Sequence, residues 1–286
     1  MGPTELLSTP VDGVEVLGSL SPSRAGDFTS CPLLYRFRTI DRLPEPSSPE
    51  AVRGTVVHRV LEELFDLPAA DRTPERARGL LRPAWETVCD ADPEAATAVA
   101  EPLERWLGTC ADALDTYFTL EDPRRLEPAD RELYVETVLE SRLLLRGFVD
   151  RVDVSPDGLV RIVDYKTGRA PSELFEAKAL FQLKFYALVL WRTRGRVPAM
   201  LQLIYLGNGE VLRYVPDEQD LLATERKVEA IWAAIRHAEA TGDFQPSPGR
   251  LCDWCAHQAL CPAYGGTPPP LPAPAEQPDA PAADPA

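Results

Sequence analysis

Two neighbouring stretches in the middle of the chain have the hydrophobic pattern of β-strands. Residues 143–154 and 159–166 are rich in aliphatic and β-branched side chains, interrupted by a few charged positions. The residues between them, Ser155-Pro156-Asp157-Gly158, are typical of a hairpin turn. The pattern therefore predicts an antiparallel hairpin.

The remaining periodicities predict helices around this hairpin and a second hairpin after it. Apolar residues at helical spacing predict a helix from Thr55 to Phe65, with Thr55 as a cap at its start. Similar patterns predict helical structure at about 75–120, at 181–190 and at 217–240, and a hairpin at 200–214 that turns at Gly207-Asn208-Gly209. Strands followed by helices in this order indicate an α/β protein.

The charged residues of the first hairpin form a candidate catalytic site. Asp164 and Lys166 are two apart, so they share one face of their strand. Folding about the turn sets Asp150 opposite Asp164 or one residue from it, with Cβ atoms roughly 5 Å apart. Two carboxylates at that distance repel unless one is protonated or a cation lies between them. Mg²⁺ or Mn²⁺ would fit, and the simpler alternative is a hairpin with solvated charges and an internal salt bridge.

A group of cysteines near the end of the chain has the spacing of metal ligands. Cys252, Cys255 and Cys261 form the pattern C-x-x-C-x5-C. A structural disulfide is disfavoured, because the N-terminus has no basic and apolar signal region and no stretch is long enough to span a membrane. We therefore expect a reduced, cytoplasmic protein with no membrane contact. Spacing alone leaves an iron–sulfur cluster and zinc equally open, and His257 could replace one thiolate at zinc.

Three further polar side chains lie on helices predicted to be mainly apolar. His58 lies beside the apolar face of the first helix, and such a histidine usually has a structural role. Gln182 and Tyr186 are four residues apart and share one helical face. Cys89 and Cys110 lie in helical segments without nearby partners, so we interpret them as ordinary buried cysteines.

The order of these motifs resembles a known nuclease family. The series comprises Cys31 followed by proline, Gly54-Thr55-x-x-His58, Gly147-x-x-Asp150, Asp164-Tyr165-Lys166, Gln182-x-x-x-Tyr186 and the three C-terminal cysteines. It resembles the RecB-like and AddB-like exonucleases of the PD-(D/E)xK superfamily, which include the CRISPR-associated exonucleases. The resemblance implies a restriction-endonuclease-like core, in which a mixed sheet is flanked by helices, with a helical insertion and an iron–sulfur staple that joins the N- and C-terminal parts.

The resemblance also implies individual roles. His58, Asp150 and Asp164 would hold Mg²⁺ or Mn²⁺, Lys166 would orient a water, and Gln182 and Tyr186 would lie near the active site. The four ligands of a [4Fe-4S] cluster would be Cys31, Cys252, Cys255 and Cys261, which favours the cluster over zinc. Glu132 is a weaker site candidate, with Glu136 as its competitor.

These expectations define a domain organisation. Residues 1–19 are a flexible leader, and residues 20–264 form the nuclease domain, with a helical insertion at about 70–120 and a cluster-binding segment at 250–264. Residues 265–286 consist mostly of Pro and Ala with scattered acids, and this composition predicts a disordered tail.

The net charge bears on the substrate. A formal charge of -15 is unusual for a nucleic-acid-binding protein, but arginines concentrate near the N-terminus, at 24, 36, 38, 42, 53 and 59. We expect a metal-dependent DNA exonuclease of repair or recombination that acts on single-stranded DNA or on a free end. The sequence has no Walker A loop, so unwinding would require a helicase partner. The alternatives are a non-catalytic DNA-binding or assembly subunit with the same fold, and a zinc protein of unrelated fold.

Overall fold

The computed structural model describes residues 13–170 and 173–272, without the side chains of residues 173–178. The chain divides into two compact units, and the nuclease domain expected at residues 20–264 remains a prediction. The first unit is formed by the described residues of Met1–Glu45, Thr137–Arg146 and Arg226–Ala286, and the second by those of Pro46–Glu136 and Gly147–Glu225. Residues 1–12 of the predicted leader and 273–286 of the predicted tail lie outside the described residues.

Six strands and eight α-helices are assigned within the described residues. The strands are β1 (Gly18–Leu20), β2 (Asp130–Val138), β3 (Leu143–Val154), β4 (Val160–Lys166), β5 (Met200–Tyr205) and β6 (Glu210–Tyr214). The helices are α1 (Pro22–Ser30), α2 (Pro32–Tyr35), α3 (Pro49–Leu64), α4 (Pro74–Ala91), α5 (Pro93–Ala98), α6 (Leu103–Leu120), α7 (Glu173–Arg194) and α8 (Glu218–Thr241). No helix within this part of the chain combines the length and hydrophobicity that crossing a membrane requires.

The second unit is built on a mixed sheet. β3 and β4 pair in antiparallel register from Arg151↔Val163 to Val154↔Val160, as the turn between them predicts. β4 pairs in parallel with β5, and β5 forms an antiparallel hairpin with β6. The parallel pair is connected by α7, which packs against both of its strands. The predicted α/β class and both predicted hairpins are confirmed.

A helical layer covers the sheet of the second unit. Three helices, α4, α5 and α6, occupy the segment predicted as a helical insertion, and with α3 they bury a common core. Strand residues Val163 and Tyr165 belong to the same core, together with helix residues Val56, Val60, Leu61, Leu64, Leu81, Trp85, Trp106, Leu107, Leu114 and Tyr117. Hydrophobic burial therefore fixes the position of α3 relative to β4.

Helix α3 begins earlier than its hydrophobic periodicity predicts. Ser48 caps it, and the Ser48 hydroxyl accepts a hydrogen bond from the Ala51 backbone nitrogen at 3.1 Å. Pro49 occupies the first turn, where its missing N–H costs nothing. Thr55 is therefore not the cap. It lies inside the helix, where its hydroxyl donates to the Ala51 carbonyl.

The first unit contains β1, α1, α2, a short π-helical segment Arg36–Ile40 and most of α8. β1 pairs in parallel with the start of β3, from Gly18↔Leu143 to Leu20↔Leu145. Thus residues 18 and 19, which fall within the predicted leader, form a strand. The segment after α8 consists of 3-10 turns at Arg250–Trp254, Gln258–Leu260 and Pro262–Tyr264.

Candidate active site

The two strands of the central hairpin separate at the predicted catalytic residues. Their last paired residues are Arg151 and Val163, so Asp150 and Asp164 stand at the next position of the same register. There the Asp150 side chain takes the place of a backbone acceptor, and its Oδ2 accepts a hydrogen bond from the Tyr165 nitrogen at 2.7 Å. The register confirms that the two aspartates are neighbours across the hairpin.

His58 of α3 reaches the same point from the helical layer. Its Nε2 lies 2.9 Å from the Tyr165 carbonyl oxygen, which can only accept, so Nε2 carries the proton. Its Nδ1 lies 3.5 Å from Asp150 Oδ2. Removal from water lowers the pKa of His58, which favours the neutral ring. A neutral imidazole with Nδ1 unprotonated is the form that binds a metal.

Glu132 completes a group of three potential ligands. One ligand atom from each of His58, Glu132 and Asp150 can be chosen so that all three lie within 4.8 Å of one another. Glu132 has a φ of 44°, an unusual value for a non-glycine residue within a strand. Its competitor Glu136 is engaged elsewhere, because Glu136 Oε2 accepts a hydrogen bond from the Tyr134 hydroxyl at 2.6 Å. Of the two glutamates, only Glu132 joins the ligand group.

The carboxylates of this group repel one another. Burial, followed by the charge of Asp164, raises the pKa of Asp150 well above its usual range. Burial, followed by the charge of Asp150, raises the pKa of Glu132 to about 7. A divalent cation would remove this repulsion, and two carboxylates with one imidazole are donors that Mn²⁺ accepts and that Mg²⁺ accepts in part. The donor set therefore fits the metal that the sequence predicts.

Asp164 and Lys166 form a pair beside this group. Lys166 Nζ lies 2.7 Å from Asp164 Oδ2 and donates to Gln182 Oε1 at 3.0 Å. Gln182 Nε2 in turn donates to Asp164 Oδ1 at 2.9 Å and to the Tyr186 hydroxyl at 3.2 Å. Asp164 does not belong to the compact ligand group, which contains Glu132 instead. The structure thus assembles all five predicted catalytic residues around two adjoining clusters.

Gly147 provides the space that Tyr186 occupies. A Cβ atom at Gly147 would lie 2.7 Å from Tyr186 Cε1, which is closer than carbon atoms approach. A side chain at this position would displace the tyrosine that hydrogen-bonds Gln182. The glycine of the G-x-x-D motif is therefore a packing requirement of the site.

A buried ionic network around Arg151 stabilises the hairpin. Arg151 is 1% exposed, and it donates to both Glu121 oxygens, at 2.8 and 3.0 Å, and to the Tyr165 hydroxyl. Such a buried arginine is stable only when its hydrogen bonds are satisfied. The sequence does not reveal this network, because Glu121 and Arg151 lie thirty positions apart and share no motif.

A cavity of about 440 Å³ opens onto the ligand group. It is lined by Gly54, Thr55, His58, Arg59, Glu62 and Glu132. Gly54 and Thr55 precede His58 by about one helical turn, which explains why the G-T-x-x-H motif lines one wall.

The cysteines of the C-terminal motif and Cys31 all lie in the first unit. Backbone nitrogens face two of their sulfurs: Ser247 N lies 3.4 Å from Cys31 Sγ, and Gly249 N lies 3.3 Å from Cys252 Sγ. Burial raises the pKa of Cys255, and the charges of Cys252 and Cys31 raise it further. These three thiols are therefore close enough to interact electrostatically.

The same thiols are not packed tightly enough for a single preformed metal site. Zn–S bonds of about 2.3 Å in a tetrahedron place thiolates about 3.8 Å apart. Among the described residues, the only group of three potential ligands within 4.8 Å contains no cysteine. His257 Nε2 lies 2.7 Å from Glu45 Oε1, so this ring nitrogen is engaged by a carboxylate. Cys110 is buried and Cys89 half-buried, and both lie in the second unit.

Comparison with known proteins agrees with this architecture. A sequence model of the PD-(D/E)XK nuclease superfamily matches residues 19–262. The chain is 26% identical over 274 residues to the Gene 69 protein of Mycobacterium phage D29, covering 85% of this chain and 96% of the phage protein. A crystal structure from Eubacterium rectale, described as a "Putative exonuclease", superposes with a TM-score of 0.57 at 13% identity, covering 84% of this chain and 87% of the other. The family match spans most of the sequence and contains every residue of the site, and the chain belongs to the PD-(D/E)XK nuclease superfamily.

Proposed function

We propose that this protein is a metal-dependent DNA exonuclease whose active site is formed by β2, β3, β4, α3 and α7. The observation that carries the proposal is the convergence of His58, Glu132 and Asp150 beside the Asp164–Lys166 pair. A purely structural hairpin would not need two carboxylates whose pKa values are raised by burial and mutual repulsion. Together with the family, this arrangement favours phosphodiester hydrolysis.

Each side chain has a defined task in this proposal. His58, Glu132 and Asp150 would hold Mg²⁺ or Mn²⁺, with Asp164 next to them; when bound, the ion polarises the phosphate and lowers the pKa of a water ligand. Lys166 remains partly exposed, with its ammonium fixed by Asp164 and Gln182. It can therefore orient the attacking water and offset negative charge as this develops on the phosphate.

The finer assignments rest on the motif resemblance. Exonucleolytic action agrees with the "Putative exonuclease" from Eubacterium rectale. The RecB-like and AddB-like motif order favours a role in DNA repair or recombination, single-stranded or free-ended DNA as substrate, and a helicase partner for unwinding. We place the protein in the cytoplasm, where its thiols would remain reduced.

We also propose that Cys31, Cys252, Cys255 and Cys261 bind a [4Fe-4S] cluster in the first unit. Backbone N–H groups directed at Cys31 and Cys252 support this proposal, since hydrogen bonds to sulfur stabilise thiolate ligands of such clusters. A cluster also separates its thiolates more widely than a single ion does, so the lack of a compact thiol group among the described residues counts more against zinc than against a cluster. Bound there, it would join segments that are more than two hundred residues apart in sequence.

The test is digestion of end-labelled single-stranded and duplex DNA with Mg²⁺ or Mn²⁺ under anaerobic conditions. Wild type should release short products, and Asp150→Asn, Asp164→Ala and Lys166→Ala should each lower the rate by orders of magnitude. Asp157→Asn, in the exposed turn of the same hairpin, is the matched control and should cleave normally. DNA binding without cleavage by wild type would favour the non-catalytic subunit instead.

A further inference from the structure

Two aromatic side chains are exposed beside the proposed metal site. Phe148 is 56% exposed and Tyr134 is 44% exposed, and their ring centroids lie 5.2 Å apart at an interplanar angle of 55°. The Tyr134 hydroxyl donates to Glu136 Oε2 at 2.6 Å, which fixes the orientation of its ring. Large aromatic surfaces usually contribute to stability by burial, so an oriented and exposed pair indicates a binding surface.

The strands place this pair next to the ligand group. Phe148 precedes Asp150 by two residues in β3, the spacing at which the side chains of a regular strand share a face. Tyr134 follows Glu132 by two residues in β2 and contacts Phe148, as Glu132 approaches Asp150. Two residues of a strand span about 7 Å, a distance that one nucleotide bridges between its phosphate and its base.

We infer that Tyr134 and Phe148 form a stacking platform for a base of single-stranded DNA whose phosphate lies at the metal site. The inference rests on the proposed nuclease function and adds a substrate-binding element to it. Bases inside a duplex have both faces covered by their neighbours, so an unpaired base, such as one at a frayed end, uses this surface most readily. Stacking also suits any base, as a sequence-tolerant nuclease requires.

The local charge favours stacking over phosphate attraction as the source of affinity here. Glu136 contacts Tyr134, and Glu132 and Asp150 lie two residues along the same strands, so a polyanion gains little from charge at this surface until a cation binds. Base stacking does not depend on charge and therefore resists salt. The platform would hold the strand while the phosphate reaches the metal.

The first test is binding of a fluorescent oligothymidylate in the Lys166→Ala background, in which cleavage is removed. Phe148→Ala should raise Kd about tenfold, equivalent to about 1.4 kcal/mol, without changing the slope of log Kd against log salt concentration. Leu159→Ala removes an apolar side chain that is 58% exposed on the same hairpin, and should leave Kd unchanged. Phe148→Trp should retain affinity, whereas Phe148→Leu, which keeps apolar area but has no aromatic face, should not.

The second test replaces single nucleotides of the oligonucleotide by abasic sites. In the Lys166→Ala background, an abasic site at one position should weaken binding, and Phe148→Ala should abolish that discrimination. Melting temperatures close to that of the parent protein would verify that the variants fold. If the wild type cleaves the DNA but Phe148→Ala and Leu159→Ala change Kd equally, the platform is refuted and the proposed nuclease function stands. Retained binding by Phe148→Leu would also refute it, because an aromatic face would then not be required. Abasic discrimination by a wild type that never cleaves would support the platform and refute the proposed catalysis.

Discussion

Replacement of Glu132 by Gln should change stability in opposite directions with and without metal. In the metal-free protein, ligand atoms of Glu132 and Asp150 lie within 4.8 Å, and two charges at that separation repel by about 3.5 kcal/mol at an effective dielectric constant of 20. Glu132 is only partly buried and His58 is adjacent, so solvent and the imidazole reduce this figure. We expect Glu132→Gln to raise the free energy of unfolding by about 1 kcal/mol, or Tm by about 2–4 °C.

The pH dependence of this gain has a definite sign. The pKa of Glu132 is raised from 4.5 to about 7 in the folded protein, so the folded state holds the proton more tightly than the unfolded chain does. Ionisation therefore lowers stability progressively as pH rises between these two values. The advantage of Gln should be absent at pH 4, appear between pH 4.5 and 7, and be complete at pH 8.

Bound metal should reverse the order of stability of the wild type and the Glu132→Gln variant. At a Mg²⁺ or Mn²⁺ concentration of about 100 times Kd, binding stabilises the wild type by about 2.7 kcal/mol. Glu132→Gln removes one of three protein ligands. If this weakens metal binding tenfold, the variant loses about 1.4 kcal/mol of the stabilisation, and the wild type becomes the more stable protein. The assay is urea or thermal unfolding at pH 8, with EDTA and with saturating metal, and Glu136→Gln serves as the control that should show no reversal. The same sign under both conditions would refute Glu132 as a metal ligand.

Three further predictions concern other parts of the molecule. His58→Ala should lower activity most at low metal concentration and recover partly with excess Mn²⁺, as titrations of the cleavage rate can show; loss of thermal stability with unchanged metal dependence would instead assign it a structural role. Gly147→Ala should lower both activity and stability, the latter by about 1–3 kcal/mol in chemical denaturation, because its Cβ would overlap Tyr186, and in a chain that already carries Tyr186→Ala the same change should cost less. Cys31→Ala should lose iron content and visible absorbance whereas Cys89→Ala keeps both; stoichiometric zinc after anaerobic purification would contradict the cluster.

The sequence predicted those features that depend on local chemistry. The hairpin of β3 and β4 follows from a turn sequence between two apolar runs, and its register brings Asp150 next to Asp164. His58, Gln182 and Tyr186 lie where their motifs place them, because each sits on a helix whose apolar face fixes its orientation. The catalytic roles assigned to these residues remain predictions.

Features set by tertiary structure were harder to predict from the sequence. Glu132 received little weight because edge-strand solubility is the simpler explanation for a charge on this strand. Neither spacing nor alternation reveals the positive φ by which it departs from regular strand geometry. The ion pair of Arg151 and Glu121 connects residues distant in sequence. The two compact units have no counterpart in the hydrophobic pattern, because β3 passes from one unit into the other without a break.

The backbone of Tyr165 has a practical consequence for studies of inactive variants. Its nitrogen donates to the Asp150 side chain, and its carbonyl oxygen accepts from His58. The proposed ligands therefore also satisfy backbone groups of β4 at the point where its pairing with β3 ends. Truncation of either ligand to Ala would leave an unpaired edge, which is a template for aggregation. Asp150→Asn retains an acceptor for the Tyr165 nitrogen and removes the charge. Variants of this kind should therefore stay dispersed at the concentrations that crystallisation with DNA requires, whereas Ala variants should self-associate.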